Sequence, residues 1–153
     1  MRKSAGILLY RFLASNEVEV FLVHPGGPFW KGKETGVWSI PKGEYEDEEE
    51  PLSAAKREFA EETGSTVEGP FIQLTPIKQK AGKLVAAWAA EGHIDANAIV
   101  SNSFKLQWPP KSGKWQTVPE VDKAAWFSIE SAKEAINPAQ VPFIDELLIK
   151  LKE

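Results

Sequence analysis

Between Gly43 and Gly64 the chain reads GEYEDEEEPLSAAKREFAEETG, and this stretch constrains the fold more than any other. Pro51 suits the first position of a helix, where its missing N–H would have no partner anyway. Gly64 suits the left-handed residue that ends one. The spacing therefore predicts a helix from Pro51 to about Thr63. Leu52, Ala55 and Phe59 share an arc of that helix that should face a core. Glu58, Glu61 and Glu62 share the adjacent arc, about 100° wide. Carboxylates this close repel, and like-charge pairs one turn apart destabilise a helix by about 0.2–0.5 kcal/mol. A hard divalent cation offsets that cost, because Mg²⁺ and Mn²⁺ favour carboxylate oxygens and are commonly shared with phosphates. Glu58 and Glu62 stand one turn apart and can reach one ion. The bland reading, a solvated acidic face, fits Glu46 to Glu48.

The remainder supplies a sheet. Ser4 to Phe12 and Val18 to Val23 are β-prone runs joined by a short polar turn, a predicted hairpin. His24 to Thr35 reads as a Gly- and Pro-rich loop, Val37 to Ile40 as a short strand, and Pro41 to Glu50 as an acidic loop. Phe71 to Lys80, Lys83 to His93, Ser103 to Trp108 and Lys123 to Phe127 read as strands, with a loop over Pro109 to Pro119. Ser128 caps a short helix. Asn137-Pro138 opens a final amphipathic helix carrying Val141, Ile144, Leu147, Leu148 and Leu151 at helical spacing. These elements predict an α+β fold, an α/β/α layering around a mixed sheet.

With 153 residues, 42% of them hydrophobic, one domain spanning 1–153 with a real core is expected. There is no cysteine, which excludes disulfides, thiolate nucleophiles and cysteine-based zinc sites. The net charge of -4 is concentrated between Glu44 and Glu62, which argues against a nucleic-acid-binding surface. The N-terminal apolar run is short and broken by Arg11, so it reads as a strand rather than a signal peptide. No run has the length of a membrane span. A soluble, cytoplasmic protein is the resulting expectation.

The spacing within the acidic stretch narrows the chemistry. Gly43, five residues, Glu49, seven residues, Arg57-Glu58, an apolar Phe59, one residue, Glu61-Glu62, one residue, Gly64 resembles the Nudix box. The approach, Trp38-Ser39-Ile40-Pro41-Lys42-Gly43-Glu44, is similar to that of MutT-like and diadenosine-polyphosphate-cleaving members. One letter departs: an aliphatic residue is expected after the last glycine, and the chain has Ser65, with Val67 two places on. A small change in core packing is expected there.

The resemblance implies hydrolysis of a nucleoside diphosphate linked to another group, with Mg²⁺ or Mn²⁺ as cofactor and a small nucleotide as partner. It makes Glu58, Glu61 and Glu62 metal ligands, with the Gly43 carbonyl a further candidate, and it pairs Glu49 with Arg57 to orient the helix. The general base is expected on a nearby loop. Glu120 is the first candidate, although a carboxylate after a proline can equally be a plain loop residue. Glu91 and Glu61 are the others. Lys42 is a candidate phosphate contact. Phe29, Trp30 and Trp108, in or beside loops, are candidate stacking residues, against the usual reading of aromatics as core. For His24, Lys31 and Lys33 a non-functional reading is favoured. Nucleoside triphosphates or dinucleoside polyphosphates lead the substrate expectation, with nucleotide sugars or ADP-ribose as alternatives. A catalytically silent nucleotide-binding module would be expected to have lost box glutamates, and none is lost. A calcium-binding module lacks its D-x-D-x-D-G loop.

Overall fold

The computed structural model describes residues 2–153. Strands β1 (Lys3–Phe12) and β2 (Val18–Pro25) form the predicted hairpin, with Tyr10 opposite Val20. Then follow β3 (Lys42–Glu44), α1 (Pro51–Thr63), β4 (Ile72–Gln73), β5 (Ile77–Lys78) and β6 (Leu84–Glu91). Strands β7 (Ser103–Gln107) and β8 (Trp115–Pro119) precede β9 (Val121–Ser128), α2 (Ile129–Ala135) and α3 (Val141–Leu151). The main sheet runs β4-β6-β1-β2-β9, with β3 paired to β1 and β5 to β6. Strands β1 and β6 are parallel and the other pairs antiparallel, which makes the sheet mixed. Strands β7 and β8 form a separate hairpin.

Alternation along the two central strands divides the core into two layers. Ala5, Ile7 and Leu9 of β1, with Phe21 and Val23 of β2, pack under Ala54, Ala55 and Phe59 of α1. Leu8, Tyr10, Val20 and Leu22 point the other way, onto Ala132, Ile136, Phe143, Ile144 and Leu147 of the C-terminal helical layer. Both faces are covered by helices, so the strands are apolar at successive positions rather than alternate ones. Val67 is half-buried against the α1 side of the core, the side on which Ser65 left an aliphatic position unfilled.

Five local expectations change. Val37 to Ile40 forms no strand; it makes only isolated bridges, Ser39 to Val23 and Trp38 to Ile136. Its amides serve three different partners: Trp38 N–H goes to Ala135 O, Ser39 N–H to Val23 O and Ile40 N–H to the Gln140 side chain. The acidic loop contains β3, because Lys42–Glu44 pairs with Ser4–Gly6. The run Phe71 to Lys80 breaks into β4 and β5 around Pro76, which has no N–H to offer the ladder. The loop Pro109 to Pro119 ends in β8, which pairs with β7 from Gln107↔Trp115 to Ser103↔Pro119. The last helix begins at Val141 after a 3₁₀ turn over Pro138–Gln140, which Asn137 caps through a 2.9 Å bond from Ala139 N–H.

Candidate active site

Helix α1 is built as its termini predict. Pro51 opens it, and Gly64 closes it in the left-handed conformation, φ 80°, with its N–H on Ala60 O. Glu50 caps the N-terminus by accepting from Leu52 N–H at 2.9 Å and Ser53 N–H at 3.3 Å. That role was missed: Glu50 was read in the acidic loop, since glutamate is not among the residues that usually cap a helix N-terminus.

The acidic arc divides into two parts. Glu58 and Glu62 are both buried, each 8% exposed. Together with Glu120, at the β8–β9 junction, they present carboxylate oxygens that all lie within 4.8 Å of one another. Glu61 is outside that group, and its Oε2 accepts from Arg57 Nη1 at 2.8 Å. Arg57 also reaches Glu58 Oε1 at 3.1 Å. It forks onto Glu49 through Nε at 2.8 Å and Nη2 at 2.9 Å. The guanidinium thus holds three carboxylates, and its hydrogen bonds hold Glu49 below the ordinary carboxylate value. Glu91 ends β6 opposite Tyr10, apart from the three-carboxylate group.

Burial dominates the electrostatics. It pushes Glu62 up to about 8, with Glu120 and Glu58 adding to the shift and Lys42 opposing it. Burial also raises Glu58, reinforced by Glu61 and opposed by Arg57. It raises Glu120, with Glu61 next in weight. Lys42 is driven down by burial and then by Lys83, against the pull of Glu62. Without a cation, Glu62 in particular keeps its proton to a higher pH than a free carboxylate does.

Gly43 is required by close approach: a Cβ there would lie 2.0 Å from the Glu58 carboxyl carbon. The cradle is therefore open only because the side chain is missing. Its donors are all oxygen, two of its carboxylates are buried, and its spacing suits one small ion. Such a set fits Mg²⁺ or Mn²⁺ and does not fit a soft metal.

Main-chain bonds place Glu120 against the helix. Asn102 N–H donates to Glu61 O at 2.8 Å, and Asn102 O accepts from Glu120 N–H at 2.8 Å. On the other side Gly26 N–H donates to Glu120 O at 3.0 Å. Asn102 carried no signal in the sequence, because it acts through its backbone.

A cleft of about 310 Å³ adjoins the carboxylates. Trp30, Lys42, Glu62 and Glu120 line it, as do Gln79 and Gln140. Phe29 does not line it; it is 52% exposed and meets Trp30 edge-on at 4.8 Å. Trp108 lies past the end of β7, also off the cleft. Lys33 Nζ sits 3.8 Å over the Phe29 ring. His24 is buried between Asp122, at 2.9 Å, and Lys33 O, at 2.6 Å. The sequence missed Gln79 and Gln140, since glutamine reads as surface.

Fold and site together define a class: an α/β/α-layered protein whose one helix carries an oxygen-donor site facing a cleft. The NUDIX domain family model matches residues 2–147, and the chain belongs to the Nudix hydrolase family. It is 31% identical over 104 residues to the mRNA-decapping protein g5R of African swine fever virus (isolate Warthog/Namibia/Wart80/1980), covering 67% of this chain. The chain spans 42% of that relative's length. A C. elegans Ap4A hydrolase in binary complex superposes with a TM-score of 0.67 at 21% identity, covering 97% of this chain and 98% of that one. The NUDIX domain of Shewanella oneidensis NrtR, complexed with ADP ribose, gives 0.65 at 16% identity over 97% and 87% of the two chains. At these identities the structural likeness speaks to the fold. No helix among the described residues is long and apolar enough to cross a membrane.

Proposed function

We propose that this chain hydrolyses the phosphoanhydride of a nucleoside diphosphate linked to a further group, with a nucleoside triphosphate or dinucleoside polyphosphate as substrate and Mg²⁺ or Mn²⁺ as cofactor. The observation that carries the reading is the convergence of Glu58, Glu62 and Glu120 beside the Gly43 gap. Glu58 and Glu62 would hold the ion, and Glu61 is the further candidate ligand on the same helix. Such an ion supplies charge neutralisation at the phosphates and lowers the pKa of a bound water. Glu120 receives the proton of the attacking water, a role for which its raised affinity for protons is suited. Arg57 keeps Glu61 and Glu58 in register through its fork onto Glu49. Lys42 meets the substrate phosphates as a point charge, and Trp30 offers a face for stacking.

The relatives support a nucleotide substrate by their names, an Ap4A hydrolase and an mRNA-decapping protein. A capped 5′ end is itself two nucleosides bridged by phosphates, so both names fall within one chemical class. The neighbour complexed with ADP ribose keeps a second reading, an ADP-ribose or nucleotide-sugar pyrophosphatase. The test is a substrate panel with Mg²⁺ or Mn²⁺: nucleoside triphosphates, dinucleoside polyphosphates, capped RNA, ADP-ribose and nucleotide sugars, with products identified. Metal-dependent cleavage of a triphosphate or dinucleoside polyphosphate is expected. Cleavage of ADP-ribose or nucleotide sugars alone selects the second reading, and no metal-dependent cleavage of any substrate overturns both.

A further inference from the structure

Besides its charged residues, the cleft is lined by three side-chain amides: Gln79, Asn137 and Gln140. Main-chain atoms set which way each of them points. Gln140 is fully buried, and one end of its amide receives Ile40 N–H at 3.0 Å. A backbone N–H can only donate, so the atom it meets is the oxygen. The Gln140 nitrogen therefore faces the other way, onto Ser39 Oγ at 3.0 Å and Gln79 at 2.9 Å. The Gln79 atom that receives it must in turn be an oxygen. Asn137 is set independently, because its oxygen accepts Ala139 N–H at 2.9 Å.

These constraints leave the two donor ends over. Gln79 Nε2 and Asn137 Nδ2 make no side-chain hydrogen bond with any described residue. Neither is sealed from water: among the described residues, Ser4 Oγ is the one buried side-chain polar atom without a partner. Both nitrogens therefore open to solvent, and both residues line the cleft that Trp30 also lines. Ser39 and Gln140, the other uncharged polar residues of the lining, are engaged with each other and with Ile40, so the amide ends left over are a pair of donors whose orientation cannot reverse without breaking the bond to Ile40 or to Ala139.

We infer that Gln79, supported by Asn137, is a specificity-determining residue that selects a 6-oxopurine base over a 6-aminopurine. A 6-oxopurine presents two adjacent acceptors, O6 and N7, whereas a 6-aminopurine presents the N7 acceptor beside the N6 donor. Against a donor pair, the amino edge sets one N–H against another and leaves both without an acceptor, a loss that a site built for hydrogen bonding registers strongly. The inference rests on the nucleotide-hydrolase reading above and adds the base to it.

The test compares kcat/KM for ITP and ATP with Mg²⁺, a pair that differs at the six-position edge. The wild-type chain should favour ITP by about tenfold or more. Gln79→Glu keeps an oxygen toward Gln140 and replaces the donor by a second acceptor, so the ratio should fall at least about tenfold or reverse toward ATP. Gln79→Leu should bring the ratio toward unity without reversal. A wild-type ratio near unity, or a ratio unmoved by Gln79→Glu, overturns the inference while leaving the hydrolase reading in place. If neither triphosphate is hydrolysed, calorimetric titration with IMP and AMP gives the same comparison without turnover. Tighter binding of IMP that Gln79→Glu removes supports the assignment, and equal affinities overturn it.

Discussion

Replacing Glu62 by Gln should stabilise the metal-free protein while destroying its chemistry. The Glu62 carboxyl is pushed from 4.5 up to about 8, so the folded chain holds its proton more tightly than the unfolded chain does. For a raised acid, the stability contributed by the group is fully present below its unfolded value of 4.5 and is lost as pH rises through about 8. Integrating the shift, the loss is about 4 kcal/mol at about pH 7.5 and under about 1 kcal/mol at about pH 5. Glutamine keeps the shape of the protonated acid and never ionises, so the variant escapes the loss. For a chain of this length each kcal/mol is worth roughly 2–4 °C, which gives a Tm gap of about 10 °C near pH 7.5 that shrinks to a few degrees near pH 5. The assay is calorimetry in EDTA across that range, repeated with Mg²⁺. The ion should raise the wild-type Tm and leave the variant nearly unmoved, because binding to the folded state alone stabilises it. A gap that does not narrow as pH falls, or a variant less stable than wild type at about pH 7.5, would refute the reasoning. Metal-dependent hydrolysis at the wild-type rate by the variant would sink the ligand assignment itself.

Glu120→Gln should lower kcat by about 10²-fold or more while metal affinity, read by titration calorimetry, changes far less; damage from Glu91→Gln instead would move the base elsewhere. Gly43→Ala drives a methyl into the Glu58 carboxyl, so metal affinity should fall by about tenfold or more, and unchanged affinity would show that the cradle adapts. Arg57→Met removes a half-exposed guanidinium, so Tm should fall little, by about 1 kcal/mol or less in stability. Activity should fall much further, since Glu61 and Glu58 lose their shared holder; parallel losses would point to a merely structural role. Gln140→Leu strands the buried Ile40 N–H, and denaturant unfolding should report a loss of about 1–3 kcal/mol.

What the sequence made legible follows from how local each signal is. Helix α1 carries its own boundary chemistry in Pro51 and Gly64, and its carboxylates recur at helical spacing, so both the element and the candidate site could be read from a single window. The sheet was legible where apolar runs are long, in β1, β2, β6 and β9. The segment around Trp38 was not, because its amides are claimed by Val23, Ala135 and Gln140, residues far apart in the chain. The division within the acidic arc was likewise hidden. Arg57 was read as a partner for Glu49, and it holds Glu61 and Glu58 as well. Glu120 could be named from its loop, but its approach to Glu58 and Glu62 depends on Asn102, whose contribution is independent of its side chain.

The β7–β8 hairpin leaves and re-enters the fold at nearly one point. Ser103 is paired with Pro119, and just outside that pair Asn102 O accepts Glu120 N–H. The tip beyond Leu106 and Val118, which pack beside Gly27, hangs from a closed backbone ring, so its length and sequence can change without altering the spacing between Glu120 and helix α1. The protein thus carries an arm beside its carboxylate cluster whose tip is exchangeable. Replacing the tip of that arm, from Trp108 to Lys114, should leave the spacing between Glu120 and Glu62 unchanged.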